Sequence, residues 1–220
     1  MGLILYYAPN MIRPIVPLSL SRYFKLDIEC KDISKEEGNF SKIFPLKLTP
    51  TLYDETSGWR LTEAIAINNF LIKTASEQPD SNFKSDTLLG WCIKSESEIL
   101  RWESMAVSDF LNCEIDVIAP NIGLRPPDEK KQDIAVARLS KILDIYETQL
   151  HMNKGFLVGD HVTLADLVTA SCFYFGFKFY FDSEWRKDYP NIVNWYNQTV
   201  KTPYFNDFFK DTKLLEKREF

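Results

Sequence analysis

The sequence is short of what would mark a metal centre, a membrane span or a nucleic-acid surface. It holds 2 histidines and 4 cysteines in 220 residues. Cys30, Cys92, Cys113 and Cys172 stand far apart with no C-x-x-C pair, and only His151 and His161 offer imidazole nitrogens. A zinc site draws on closely spaced ligands of these types, so no metal is expected. In a chain of this length without a leader peptide, the expectation is four reduced thiols in mostly buried places. No apolar run approaches the ~18 residues of a spanning helix. The start, Met1-Gly2-Leu3-Ile4-Leu5-Tyr6-Tyr7, lacks the basic leader and small-residue cleavage site of a secretory signal. No membrane partner and a cytoplasmic location follow as expectations. Basic residues are also too few: 26 against 31 acidic ones give a net charge of -5, the wrong sign for a broad phosphate-binding surface. Direct nucleic-acid binding is therefore not expected. What the chain does have is 45% hydrophobic and 14% aromatic residues, enough to fill the core of one large domain or two small ones.

The hydrophobic period changes along the chain. Up to about residue 75, short apolar runs alternate with helical patterns, as strands joined by crossover helices do. Leu3-Ile4-Leu5-Tyr6-Tyr7 reads as a buried strand and Ala8-Pro9-Asn10 as a turn. Ile15, Leu18 and Tyr23 predict a helix over 14–25, and the alternation after it a strand over 26–30. A short helix over 36–44, a strand over 51–53, a turn at Ser57-Gly58, a strand over 59–61 and a helix over 63–74 complete the order β-α-β-α-β-β-α. That order matches a thioredoxin-like domain. Residues 76–86 are polar with one proline, the composition of a surface connector. Domains at 1–77 and 88–220 are expected on either side.

Beyond the connector the period is helical. Ile99, Trp102, Ala106 and Phe110 share one face, and Ala135, Leu139, Ile142, Tyr146 and Leu150 another. Pro120 and Pro126-Pro127 are expected to break the pattern between these helices. In Val162-Thr163-Leu164-Ala165-Asp166-Leu167, Thr163 is placed to cap a helix, Asp166 to reach back to the cap amide, and Val162 to pack on Leu167. The helix this begins is apolar nearly all round, so Thr163 and Asp166 are read as structural. A last helix is predicted from Pro190, with Ile192, Val193, Tyr196 and Val200 inward.

The strongest local signal is Leu48-Thr49-Pro50-Thr51-Leu52-Tyr53 followed by Thr62-Glu63-Ala64-Ile65-Ala66-Ile67. A proline just before a short strand suits an edge or bend, and X-Pro is where a cis bond is retained. Thr62 is predicted to cap the next helix, leaving the amides of Glu63 and Ala64 facing a small anion such as a carboxylate. The same residues also suit an ordinary strand, turn and capped helix with nothing bound.

The T-P-x-L strand, the helix opening T-E-A-I-A-I and the T-L-A-D-L turn of a helical half together resemble the cytosolic glutathione transferase fold, over nearly the whole chain. Within that superfamily the likeness is to the transferase-like N-terminal domain of the gamma subunit of eukaryotic translation elongation factor 1. It is carried by Phe44-Pro45-Leu46-Lys47, Leu61-Thr62-Glu63-Ala64, Leu100-Arg101-Trp102-Glu103-Ser104, Ser108-Asp109, Glu184-Trp185-Arg186, residues 190–195 and Pro203-Tyr204-Phe205. The lysine-rich linker and second domain that follow in the gamma subunit are not in this sequence, which is either a first part or a free-standing relative.

The resemblance implies a thioredoxin-like domain followed by an all-helical one, no required cofactor, and glutathione as ligand or co-substrate. It implies that Thr49, before Pro50, offers its backbone to the cysteinyl part and that Glu63 meets the γ-glutamyl amine. Transferases usually place a serine next, whose hydroxyl holds the γ-glutamyl carboxylate, and here that position is Ala64. Tyr7 is the catalytic candidate, able to donate a hydrogen bond to the thiolate, since residues 8 to 14 hold no serine or cysteine. Tyr6 and Tyr7 alternate along a strand, so one of them must face a packed layer. Arg13 is a candidate for the glycyl carboxylate. Two functions from different classes are therefore expected. One is an interaction module of translation elongation, with the exchange subunit of elongation factor 1 as partner and weak or no catalysis. The other is an active glutathione transferase or peroxidase working through Tyr7. By analogy with transferases, the chain is also a candidate homodimer.

Overall fold

The computed structural model describes residues 2–36, 39–79, 81–153, 155–205 and 208–219. These form two compact units, residues 1–87 with 203–208, and residues 88–202 with 209–220.

In the first unit the elements are β1 (Leu3–Tyr7), α1 (Ile15–Tyr23), β2 (Ile28–Asp32), α2 (Asn39–Ile43), β3 (Thr51–Asp54), β4 (Arg60–Thr62) and α3 (Ala64–Ser76). The expected order is present, with a single 3-10 turn at Ile33–Lys35 ahead of α2. The sheet runs β2-β1-β3-β4, with β1 parallel to β2 and the other pairs antiparallel. β1 is buried from Leu3 to Tyr6, as the unbroken apolar run requires of a strand covered on both faces. Ile4 and Tyr6 point to one face, where Phe40 and Phe44 pack on them. The Tyr6 ring lies 5.3 Å from that of Phe40. Tyr23 and Phe24 take Tyr204 as a ring partner, which ties residues 203–208 to this unit.

Several boundaries differ from expectation, each for a local reason. The first helix stops at Tyr23 because Lys25 takes a positive φ of 51° and Leu26 N–H donates back to Ser21 O. Leu26 and Asp27 are thereby used in the turn, and the strand begins at Ile28, paired with Leu3. The fourth strand is likewise one residue later than expected, at Arg60–Thr62. Of the helix expected over 36–44, only 39–43 is helical, and residues 37 and 38 lie outside the described residues, as does Asp80 of the connector.

The second unit takes in α5 (Ile93–Ser104), α6 (Leu111–Asn121), α7 (Glu129–Met152), α8 (Leu164–Phe179), α9 (Trp185–Asp188) and α10 (Pro190–Thr199), after a short α4 (Asp86–Leu89). Met105–Phe110 form a π-helical stretch that joins α5 to α6 without a break, Leu111 N–H donating to Ala106 O. Pro120 does not break α6. It removes only its own amide, and the helix runs on to Asn121 before Gly123 turns the chain at φ 75°. Ile99, Trp102, Ala106 and Phe110 are all buried. In α10 the inward residues are Ile192, Trp195, Tyr196 and Thr199, while Val193 and Val200 are only half-buried. The core is aromatic: Phe110 stacks on Phe173 at 4.1 Å and Phe181 on Trp185 at 4.0 Å. None of the four cysteines is joined in a disulfide, and Cys92 departs from the expected burial by being exposed. No helix among the described residues is long and apolar enough to cross a membrane.

Asp166 organises this unit. Its Oδ2 accepts from Thr163 N–H at 2.8 Å and from the Thr163 hydroxyl at 2.9 Å. Oδ1 accepts from Leu157 N–H at 2.9 Å and Trp195 Nε1–H at 2.8 Å. One carboxyl thus holds the start of α8, the loop before it and the centre of α10. Burial pushes its pKa up, against the pull of these four donors. Asp166→Ala would strand them in the interior. At about 1 to 3 kcal/mol for each buried group left unsatisfied, the variant is expected to lose at least about 3 kcal/mol in urea unfolding, and a loss under about 1 kcal/mol would contradict this account.

Candidate functional site

Strand register brings the candidate residues together. Tyr6 of β1 pairs with Thr51 of β3, and Thr51 pairs with Thr62 of β4. One step further toward the same end of the sheet lie Tyr7, Pro50 and Glu63. The Thr49–Pro50 peptide is cis. Pro50 is buried and Thr49 half-buried. Ala8 N–H donates to Thr49 Oγ1 at 3.3 Å, so the turn after β1 is fastened to the loop before β3. Tyr6 is the tyrosine committed to packing, 3% exposed, and Tyr7 is the half-buried one at the open end of the strand. Arg13 stands exposed further along, in the segment leading into α1.

Thr62 does not cap the helix. It ends β4 and is exposed, and Glu63 takes the cap position with no side-chain cap bond. The reason lies in the backbone. Glu63 has φ 69° and ψ 120°, a conformation rare for any residue but glycine, which turns the chain from strand into helix within one residue. Glu63 O then accepts from Ile67 N–H at 3.0 Å, the first bond of α3. The opening amides of this 13-residue helix, Ala64 and Ile65, have no carbonyl within the helix to bond to. Such a strained residue costs about 1 to 3 kcal/mol, and positions like it gather at ligand sites. The sheet end therefore carries a half-buried phenol, a backbone bend and a helix amide terminus, a set suited to a small anionic peptide. Among the described residues no three His, Cys, Asp or Glu side chains gather as metal ligands would.

Sequence reasoning missed two members of this arrangement. Nothing in the letters signals a positive φ at a glutamate, where glycine or asparagine would be the usual cue. The Ala8 amide carries no side-chain signal at all.

Residues 107–216 match the family described as glutathione S-transferase, C-terminal domain. The "Putative elongation factor 1 gamma homolog" of Saccharomyces cerevisiae is 35% identical over 215 residues, which are 94% of this chain and 91% of that protein. The chain belongs to the glutathione S-transferase family. Within that family it is similar to the elongation factor 1 gamma proteins. Elongation factor 1-gamma 1 of the same yeast is 36% identical over 213 residues, 96% of this chain, and the chain spans 50% of that relative's length. The crystal structure of the GST-like domain of elongation factor 1-gamma from S. cerevisiae superimposes with a TM-score of 0.86 at 34% identity, covering 99% of this chain and 97% of that one. The transferase fold is thus present throughout, a thioredoxin-like unit with a four-stranded sheet and an all-helical unit.

Because the Thr49 hydroxyl joins β1 to the loop before β3, Thr49→Val is expected to keep the fold and lose about 1 kcal/mol, the usual net worth of one hydrogen bond. Urea unfolding of wild type and variant measures it, and equal midpoints would remove that role.

Proposed function

We propose that this transferase-family protein is an interaction module of translation elongation, cytoplasmic, with weak or no catalysis, and that its partner is the exchange subunit of elongation factor 1. The observation that carries this reading is Ala64, the first residue of α3. The amide end of the helix is kept, while the hydroxyl that transferases place there for the γ-glutamyl carboxylate is gone. A hydrogen bond to a charged group contributes about 1.5 to 3 kcal/mol, so its loss weakens glutathione by about ten- to a hundredfold. The likeness to elongation factor 1 gamma proteins over more than nine-tenths of the chain supports the same reading. In it, glutathione is a weak ligand, Thr49, Pro50, Glu63 and Ala64 line its place, Arg13 is reserved for the glycyl end, and the protein pairs as a homodimer.

A second reading, an active transferase or glutathione-dependent peroxidase, is favoured by the cis Thr49–Pro50 bend and the half-buried Tyr7 at the same sheet end. There the Tyr7 hydroxyl donates to the thiolate and favours its ionised form.

The two readings part on turnover of a chromogenic electrophile with glutathione. The module reading expects rates near the uncatalysed one, unchanged in Tyr7→Phe. A fall of tenfold or more in that variant would establish the enzyme. Ala64→Ser is expected to tighten retention on immobilised glutathione by about ten- to a hundredfold. Co-purification with the exchange subunit at micromolar concentration tests the partner, and no complex there counts against it.

A further inference from the structure

Two glutamates of the helical unit occupy positions where the apolar stripe calls for hydrocarbon. Glu103 falls between Ile99 and Ala106 along the buried face of α5 and the π-helical stretch, and Glu114 between Leu111 and Ile118 on α6. They are 1% and 0% exposed. No ion pair among the described residues includes either of them. Both carboxyl oxygens of Glu114 and Oε2 of Glu103 lack a protein partner at hydrogen-bond geometry.

The Glu114 carboxyl is set against Gly176 of α8. A Cβ added there would fall 2.2 Å from Glu114 Oε1 and 2.1 Å from the Phe181 ring, so glycine leaves the notch that the acid fills. Facing Glu114 from the other elements are the buried hydroxyls of Tyr146 on α7 and Tyr196 on α10. In the π-helical stretch Ala106 and Phe110 are buried, and its one titratable group, Asp109, is half-buried and paired with Arg138. The Gly176 amide is the one group that favours the charged form, and it is outweighed by burial, which pushes the Glu114 pKa well above the usual carboxyl range. For Glu103, burial is the only cause, and it raises the pKa to about 8. An unpaired carboxylate in such surroundings costs far more than taking up a proton.

We propose that Glu103 and Glu114 are carried as neutral acids, and that the packing of α5, α6 and α8 loosens as the surroundings turn alkaline, so that proton concentration sets the tightness of the helical unit. The folded chain keeps protons that the unfolded chain releases near 4.5. Their contribution to stability is therefore complete below that pH and is lost as pH rises, for Glu103 through about 8. Each retained proton makes the unfolding constant climb by up to about tenfold per pH unit in that window.

Urea unfolding of wild type, E103Q, E114Q and the double variant between about pH 5.5 and 8.5 reads this directly. Glutamine keeps the shape and cannot ionise. The single variants are expected to lose up to about tenfold per pH unit of the wild-type slope and the double variant more. Slopes equal to wild type in all three overturn the proposal. Should a variant fail to fold, infrared spectra of wild type with 13C-labelled glutamate decide. A protonated-carboxyl band still present at neutral pH and fading above it supports the proposal, and its absence at neutral pH overturns it.

Discussion

The pairing of Tyr6 with Thr51 and of Thr51 with Thr62 fixes one end of the small sheet, and the geometry of the candidate site depends on it. Because side chains alternate along a strand, a one-residue slip of β1 against β3 would exchange Tyr6 with Tyr7 between the packed face and the open one. The aromatic cluster guards against that slip. Tyr6, Phe40 and Phe44 fill one layer, and a register that turned Tyr6 outward would leave that layer short of a ring. The bend at Thr49–Pro50, the fastening of Ala8 to Thr49 and the turn at Glu63 all start from strand ends that this packing has already aligned.

The helical unit is organised by polar groups of opposite character. Asp166 is buried and accepts from four donors, so its place in the interior is compensated. Glu114 is equally buried and has none at proper geometry. The first ties loop, cap and helix into one unit. The second is tolerated as a close-packed side chain in a notch left by Gly176. Two acids in one core can thus play different parts, decided by the donors that the surrounding backbone offers.

The sequence was most readable where side chains themselves report structure. The apolar run of β1, the T-x-x-D turn at Thr163, the proline before β3 and the faces of α5 and α7 carry such signals, and each element forms where they stand. It was least readable where the backbone decides. The late start of β2 follows from the turn at Lys25, and the transfer of the cap from Thr62 to Glu63 follows from a φ that no glutamate announces. Glu103 and Glu114 were opaque for another reason. An ionisable letter within an apolar stripe reads as a gap in the stripe, and only the packing of neighbouring helices turns it into a buried acid.

Glu63 has one more implication. The direction of the amides that open α3 is set by main-chain dihedrals that the sheet end imposes, and side-chain identity has little hold over it. A family with this design can shed side-chain recognition position by position while its cradle of amides persists. In the module reading proposed above, Ala64 is such a loss, a single oxygen atom from serine. Ancestral chemistry could fade here without any crisis of folding, and a scaffold recruited for other duties would keep the outline of its former occupant.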